Sequence, residues 1–182
     1  MAATAKKAVP KKVKKSVKND KTLSDLFDHA LKDIYYAEKK IHKTLPKMIK
    51  AAEDQNLKAG LQEHREETAT QIEKLEQIFG LLDQKPKAVR CEAIDGILEE
   101  GDGLLEDFGG TRTGDAAIIF SCQAVEHYEI TRYGSMHAWA EELGMNEAAT
   151  LIASILSQEK AADQKLTKLA TSRINYAAES VA

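Results

Sequence analysis

Eight residues of the chain, Ile119, Cys122, Glu126, Glu129, Tyr133, Met136, Ala140 and Leu143, follow one another in steps of three and four. That spacing puts all eight on one face of a helix. Six of them suit a protein core, and the two in the middle are glutamates. An unpaired carboxylate inside a core costs several kcal/mol or gives up its charge. A pair of them three residues apart on an apolar seam therefore means one of two things: either the seam faces water, or a cation sits against it.

The same break in pattern recurs in three other helical stretches. The first is expected from near Ser24 to about Asp54, capped by Thr22 or Ser24. Its seam is Phe27, Ala30, Ile34, Glu38, Ile41, Leu45 and Met48, and Pro46 should bend it because proline removes a backbone hydrogen bond. The second follows Asp54-Gln-Asn56 and runs to about Leu82. It carries His64, Thr68 and Gln71 between apolar ends, with Glu67 flanking. The fourth, from near Asn146 to about Tyr176, has Glu159 and Asp163 in mid-seam. Glu126 and Glu129 belong to the third.

Rise per residue turns these positions into depths. Measured from the turn at Gly144, Glu129 and Glu159 are level, and so are Glu126 and Asp163. Measured from Gln55, Glu38 is level with Gln71, and Glu67 falls about a turn nearer the loop. Glu67-Thr-Ala-Thr-Gln71 also echoes Glu159-Lys-Ala-Ala-Asp163, which suggests a pseudo-twofold with a metal pair near its axis. Hard oxygen donors in this number suit iron or manganese and offset two divalent ions. Gln71 is expected as a core hydrogen-bonder, and His64 as either a ligand or a satisfied core histidine. Asp163 could instead orient a ligand. His127 and His137 point off the seam. Tyr35 and Tyr133 flank the acidic belt as core aromatics that could donate hydrogen bonds to it.

These stretches require an all-α four-helix bundle with a long crossover between its second and third long helices. The crossover, about residues 83–115, contains Pro86, a short helix expected over Cys91–Phe108, and a terminating Gly109-Gly110. The 182 residues suffice for one core, and no apolar run is long enough to span a bilayer. The lysine-rich start lacks the apolar stretch of a secretion signal. Cys91 and Cys122 have neither metal nor redox spacing and read as free thiols of a cytoplasmic protein. Three segments follow: a disordered tail over 1–21, the bundle over 22–178, and a frayed end over 179–182. The tail holds eight lysines and one acid, Asp20, so the net charge of −3 conceals a basic tail on an acidic remainder. Such a tail would attract nucleic acid without regard to sequence and in a salt-sensitive way.

The string Val125-Glu-His-Tyr-Glu-Ile130 occurs with Tyr36-Ala-Glu38, Leu45-Pro-Lys-Met48 and Cys91-Glu-Ala-Ile-Asp-Gly96. Together they resemble the YciF-like (YciE/YciF) group of ferritin-like stress proteins. The resemblance spans about residues 22–175. It implies a ferritin-like bundle, a rubrerythrin-like dinuclear metal centre, a homodimer and an association with stress. Carried over by position, the family's acidic signature falls on Glu38, Glu67, Glu126, Glu129, Glu159 and Asp163. The wider ferritin-like pattern has Glu-x-x-His on two helices. Here Thr70 and Ala162 stand at those histidine positions, and His64 precedes Glu67 instead. The donor set is richer in oxygen than that pattern, which leaves the choice between iron and manganese open.

The expected function is a non-haem dinuclear metal protein that reacts with peroxide or oxygen, as a ferroxidase or a peroxide scavenger. A nucleic-acid-associated protective protein and a helical association scaffold without catalysis are the alternatives. In a gel-shift assay at low salt, the full chain should retard DNA and a chain beginning at Lys21 should not. Equal mobility effects would leave the lysine tail without that role.

Overall fold

In a computed structural model, residues 20–180 are described. The lysine tail and its nucleic-acid partner, expected over 1–21, thus fall almost wholly outside the described residues, as do the last two residues of the expected frayed end. The elements are α1 (Leu23–Ala51), α2 (Gln55–Leu81), α3 (Glu92–Phe108), α4 (Gly114–Glu142), α5 (Asn146–Leu169), a π-helical turn (Ala170–Ile174) and α6 (Asn175–Glu179). Among the described residues there is no β-strand. The all-α four-helix bundle with a helix-bearing crossover is the architecture expected from the seams.

Local chemistry sets the helix ends. Thr22, not Ser24, caps α1: its hydroxyl accepts from the backbone N–H of Asp25, and the Asp25 carboxylate accepts from the N–H of Thr22. The helix continues unbroken through Pro46 and stops at Ala51, three residues before the expected end. Asp54 caps α2 by accepting from the N–H groups of Asn56 and Leu57. Asp115, at the start of α4, reaches across and accepts from the N–H groups of Glu53 and Asp54 at 2.8 and 2.7 Å. One carboxylate thereby pins the α1–α2 turn to the far side of the bundle. Gly144 ends α4 with a φ of 69°, a left-handed conformation that a side chain would strain.

Cross-helix contacts give the topology. Asp115 meets the end of α1, and Tyr133 meets Glu38 near its middle, so α1 and α4 are antiparallel. Gln71 meets Glu159 and Glu63 meets Lys165, so α2 and α5 are antiparallel too. Helix α3 carries the chain back along the length of the bundle, since Tyr36 bonds Asp95 near its start and Lys47 bonds Asp102 further on. It covers α1 and α4 closely. A Cβ added at Gly101 would lie 3.3 Å from Met48 Cε and 3.4 Å from Ser121 Cβ. Leu31, absent from the expected seam, is fully buried, while Ala30 is half-buried.

The last long helix departs from expectation. It was expected to run unbroken to Tyr176, but an α-helical path ends at Leu169 and a wider π turn follows. The seam Leu166, Ala170, Ile174 is compatible with plain α spacing, so the sequence carries no trace of the change. The π turn leaves Ile174 buried and lets Arg173 Nε reach Asp54 Oδ2 at 2.9 Å. Asp54 thus serves a helix cap and the C-terminal segment together. Asp54→Ala should lower stability by about 1–2 kcal/mol in urea unfolding, more than Thr22→Ala on its exposed cap. Equal losses would mean that the Arg173 contact contributes nothing.

Candidate metal centre

Three of the four long helices bring a carboxylate to one depth inside the bundle. Glu38 on α1, Glu126 and Glu129 on α4, and Glu159 on α5 are each at most 1% exposed. Helix α2 contributes an imidazole and an amide there, His64 and Gln71, both buried. His64, Glu126, Glu129 and Glu159 each offer one ligand atom, and these atoms all lie within 4.8 Å of one another. Glu38 adjoins the group through Tyr133, which stands one turn along α4 from Glu129 and donates to the Glu38 carboxylate. The acidic seams face inward, and exposure does not account for them.

Neighbours hold the cluster in place. Tyr133 donates its hydroxyl hydrogen to Glu38, and the Gln71 amide donates to Glu159. His64 Nε2 lies 3.4 Å from Glu126 Oε1. After these contacts, the Oε2 atoms of Glu38, Glu126, Glu129 and Glu159 remain buried without a hydrogen-bond partner, as do Nδ1 of His64 and Oε1 of Gln71. Buried polar atoms are nearly always paired, so six orphans in one cluster call for an explanation. Three convergent carboxylates and one imidazole, with Glu38 beside them, form a donor set that fits divalent cations. Four negative charges also match the charge of two such ions. The residues present therefore fit the dinuclear group that the resemblance implies.

Burial and mutual repulsion act together on these groups. Desolvation, then the Glu159 carboxylate, pushes Glu126 up to about 10. The same two causes raise Glu129 and Glu38 well above the usual carboxylate range. Glu159 rises only to about 7: burial pushes it up, and the hydrogen bond from Gln71 opposes that. Burial also lowers His64 to about 4, so its ring is neutral and free to act as a ligand near pH 7. A nearby cation would reverse the carboxylate shifts by favouring the ionised form.

Other expected residues lie elsewhere. Glu67 is half-buried at the side of α2 and outside the convergent group. Gln71 is the α2 residue that meets Glu159. Asp163 is also half-buried and outside the group; it accepts from Gln123 Nε2 at 3.0 Å and lies 3.3 Å from His127 Nε2. Tyr35 turns away from the belt, donates to Glu76 at 2.7 Å, and packs edge-on against Phe79. His127 is exposed, and His137 lies beside Glu141. Cys91 and Cys122 are free and buried, and burial pushes the Cys122 thiol up to about 12. The sequence reading missed how closely α3 covers the site, which depends on the missing side chain of Gly101.

The shifts predict an unusual pH response for protein stripped of metal by a chelator. Glu159 and Glu126 have folded values above their ordinary one, so their stabilising share is whole below about pH 4.5. That share is lost as pH rises through about 7 and then about 10. His64 acts oppositely: its share is whole above about 6.5 and is lost as pH falls toward about 4. Metal-free protein should therefore lose thermal stability between pH 6 and 8.5, whereas metal-loaded protein should hold it. A flat or rising midpoint in the metal-free form would contradict the arrangement.

Comparison with known proteins agrees with this fold. Residues 22–179 match the family model described as Domain of unknown function (DUF892). Protein YciF of Escherichia coli K12 is 40% identical over 165 residues, covering 90% of this chain and 99% of that protein. The solved structure of the E. coli stress protein YciF superimposes with a TM-score of 0.81 at 39% identity, over 86% of this chain and 99% of its own. The structure of YcfI from Rhodopseudomonas palustris gives 0.80 at 48% identity, over 84% and 97%. A Xanthomonas campestris protein, 21% identical with a TM-score of 0.70 over 87% and 98%, shares the fold. With its family model spanning nearly the whole bundle and a curated relative matched almost end to end, this chain belongs to the DUF892 family, the YciF-like proteins.

Proposed function

We propose that this protein holds two divalent cations, iron or manganese, and reacts with peroxide or oxygen in protection against stress. The observation that carries this reading is the convergence of His64, Glu126, Glu129 and Glu159 within 4.8 Å, with an orphaned buried atom on each of them and on the adjoining Glu38. A structural role alone gives no reason to gather them, since apolar residues of similar volume would pack there at lower cost. The E. coli relative is described as a stress protein, which supports the biological setting.

In this proposal Glu38, Glu126, Glu129, Glu159 and His64 hold the ions. The bound metals supply the redox chemistry, as they do wherever a protein lends a cofactor its geometry. The chain's own residues do the rest. Tyr133 fixes the orientation of Glu38, and Gln71 fixes that of Glu159, so neither carboxylate has to reorganise on binding. Helix α3, close-packed over Met48 and Ser121, keeps bulk water from that side. Ferroxidase and peroxide-scavenging activities both follow from such a site.

Elemental analysis of protein purified without chelator tests the proposal. About two iron or manganese ions per chain are expected. Glu126→Gln and Glu129→Gln should each abolish retention. In metal-free protein near pH 7 each should instead leave the melting temperature nearly unchanged, because burial already keeps both carboxyls protonated and a neutral amide of similar shape replaces a neutral acid. A protein that carries no metal, ignores added Fe(II), and melts alike with and without it would leave a helical scaffold.

A further inference from the structure

A cation bound by the buried carboxylates must come from water, shed its hydration and pass a layer of packed side chains. Two hollows touch the cluster at the same pair of residues, His64 and Glu126. One lies under α3, has room for about 30 Å³, and is walled mainly by Ile41, Leu45, Met48, Ile97, Leu98 and Val125. That wall offers a dehydrating ion almost nothing to hold. The other is a cleft of about 440 Å³ between α2 and α5, and its lining is mixed.

The cleft has the features of a passage. At its inner end lie His64, whose buried Nδ1 has no partner, and Glu126, whose Oε2 has none. Glu67 stands one turn along α2 from His64, half-buried, in the cleft wall. Its depth is intermediate between solvent and the ligands. Lys165 Nζ of α5 crosses to Glu63 Oε2 of α2 at 3.0 Å, and both side chains are more than half exposed. Gly60 widens the same wall: a Cβ added there would meet nothing within 4 Å.

We propose that the cleft between α2 and α5 is the port through which divalent cations reach the buried carboxylates, with Glu67 as a transit ligand and Lys165, held by Glu63, as a movable plug. This rests on the metal-binding function proposed above. Glu67 exchanges one water of the incoming ion for a carboxylate oxygen while the ion is still partly hydrated. His64 and Glu126 then take it over from within. The Lys165 ammonium repels a cation in the neck and must swing out on its flexible stem before one passes. A charge at such a neck acts on rate more than on final affinity.

The test uses the full chain, stripped of metal and mixed with Co(II). Uptake is followed in stopped flow by the visible absorption of ligated cobalt, and the final content by elemental analysis after desalting. Glu67→Gln and Gly60→Leu should slow uptake roughly tenfold, and Lys165→Gln should speed it several-fold. All three should keep the wild-type cobalt content. Leucine at position 60 enters open space and favours helix, so this variant plugs the cleft without touching a ligand or the fold. Wild-type rates in Gly60→Leu and Lys165→Gln would overturn the port while leaving the metal centre standing. A lower final content in Glu67→Gln would overturn its transit role and make it a resident ligand. A wild-type protein that binds no cobalt would remove the metal centre itself, and the port with it.

Discussion

Like charges held close together in a dry interior are the constraint on which this bundle turns. Glu38, Glu126, Glu129 and Glu159 are each stripped of water and set beside one another, and burial and repulsion both favour the protonated form. No single hydrogen bond in the cluster outweighs that. Tyr133 and Gln71 stabilise one oxygen each on Glu38 and Glu159 and leave the second oxygen bare. The arrangement becomes favourable only when positive charge enters, either as protons or as cations. Without a counter-charge the fold is thus partly strained around its own centre, and a cation bound there would relieve that strain.

The rest of the molecule keeps that centre rigid and dry. Apolar layers at both ends of the bundle, with Phe27, Leu31 and Ile34 among them, hold the four helices together. The crossover helix α3 performs a separate task. It lies over α1 and α4, where Gly101 permits close approach, and leaves only a small apolar hollow beside His64 and Glu126. Across the bundle a larger cleft of mixed lining opens between α2 and α5. One side of the centre is therefore sealed and the other accessible. That asymmetry comes from side-chain size at a few positions, not from the symmetry of the bundle.

Much of the centre was legible in the order of the residues. A glutamate at a seam position contradicts the period of its own helix, so Glu38, Glu126, Glu129 and Glu159 stood out without any knowledge of packing. Distance from a shared turn located Glu129 and Glu159 at one depth, because helical rise is nearly constant. The same rule was less secure for α2. Glu67 flanks the seam and looked like a further acid at the centre, yet rotation about the helix axis turns it toward the cleft, while His64 and Gln71 point inward. Tyr35 illustrates the same limit. It lies one turn from Glu38 but bonds Glu76, because a few tens of degrees about α1 direct it to a different neighbour.

The sequence by itself determined the helices, their apolar faces, the antiparallel order of the pairs and the four acids that break the pattern. These depend on periodicity, caps and short turns, all of which act between residues close in the chain. Tertiary structure decided which atoms converge: that α2 brings an imidazole and an amide where its partners bring carboxylates, that Asp163 turns to Gln123 and His127, and that Lys165 spans a cleft to Glu63. Those outcomes depend on helix rotation and on the sizes of side chains from different helices. Neither is encoded in any single stretch, since each is set only when all the faces pack against one another at once.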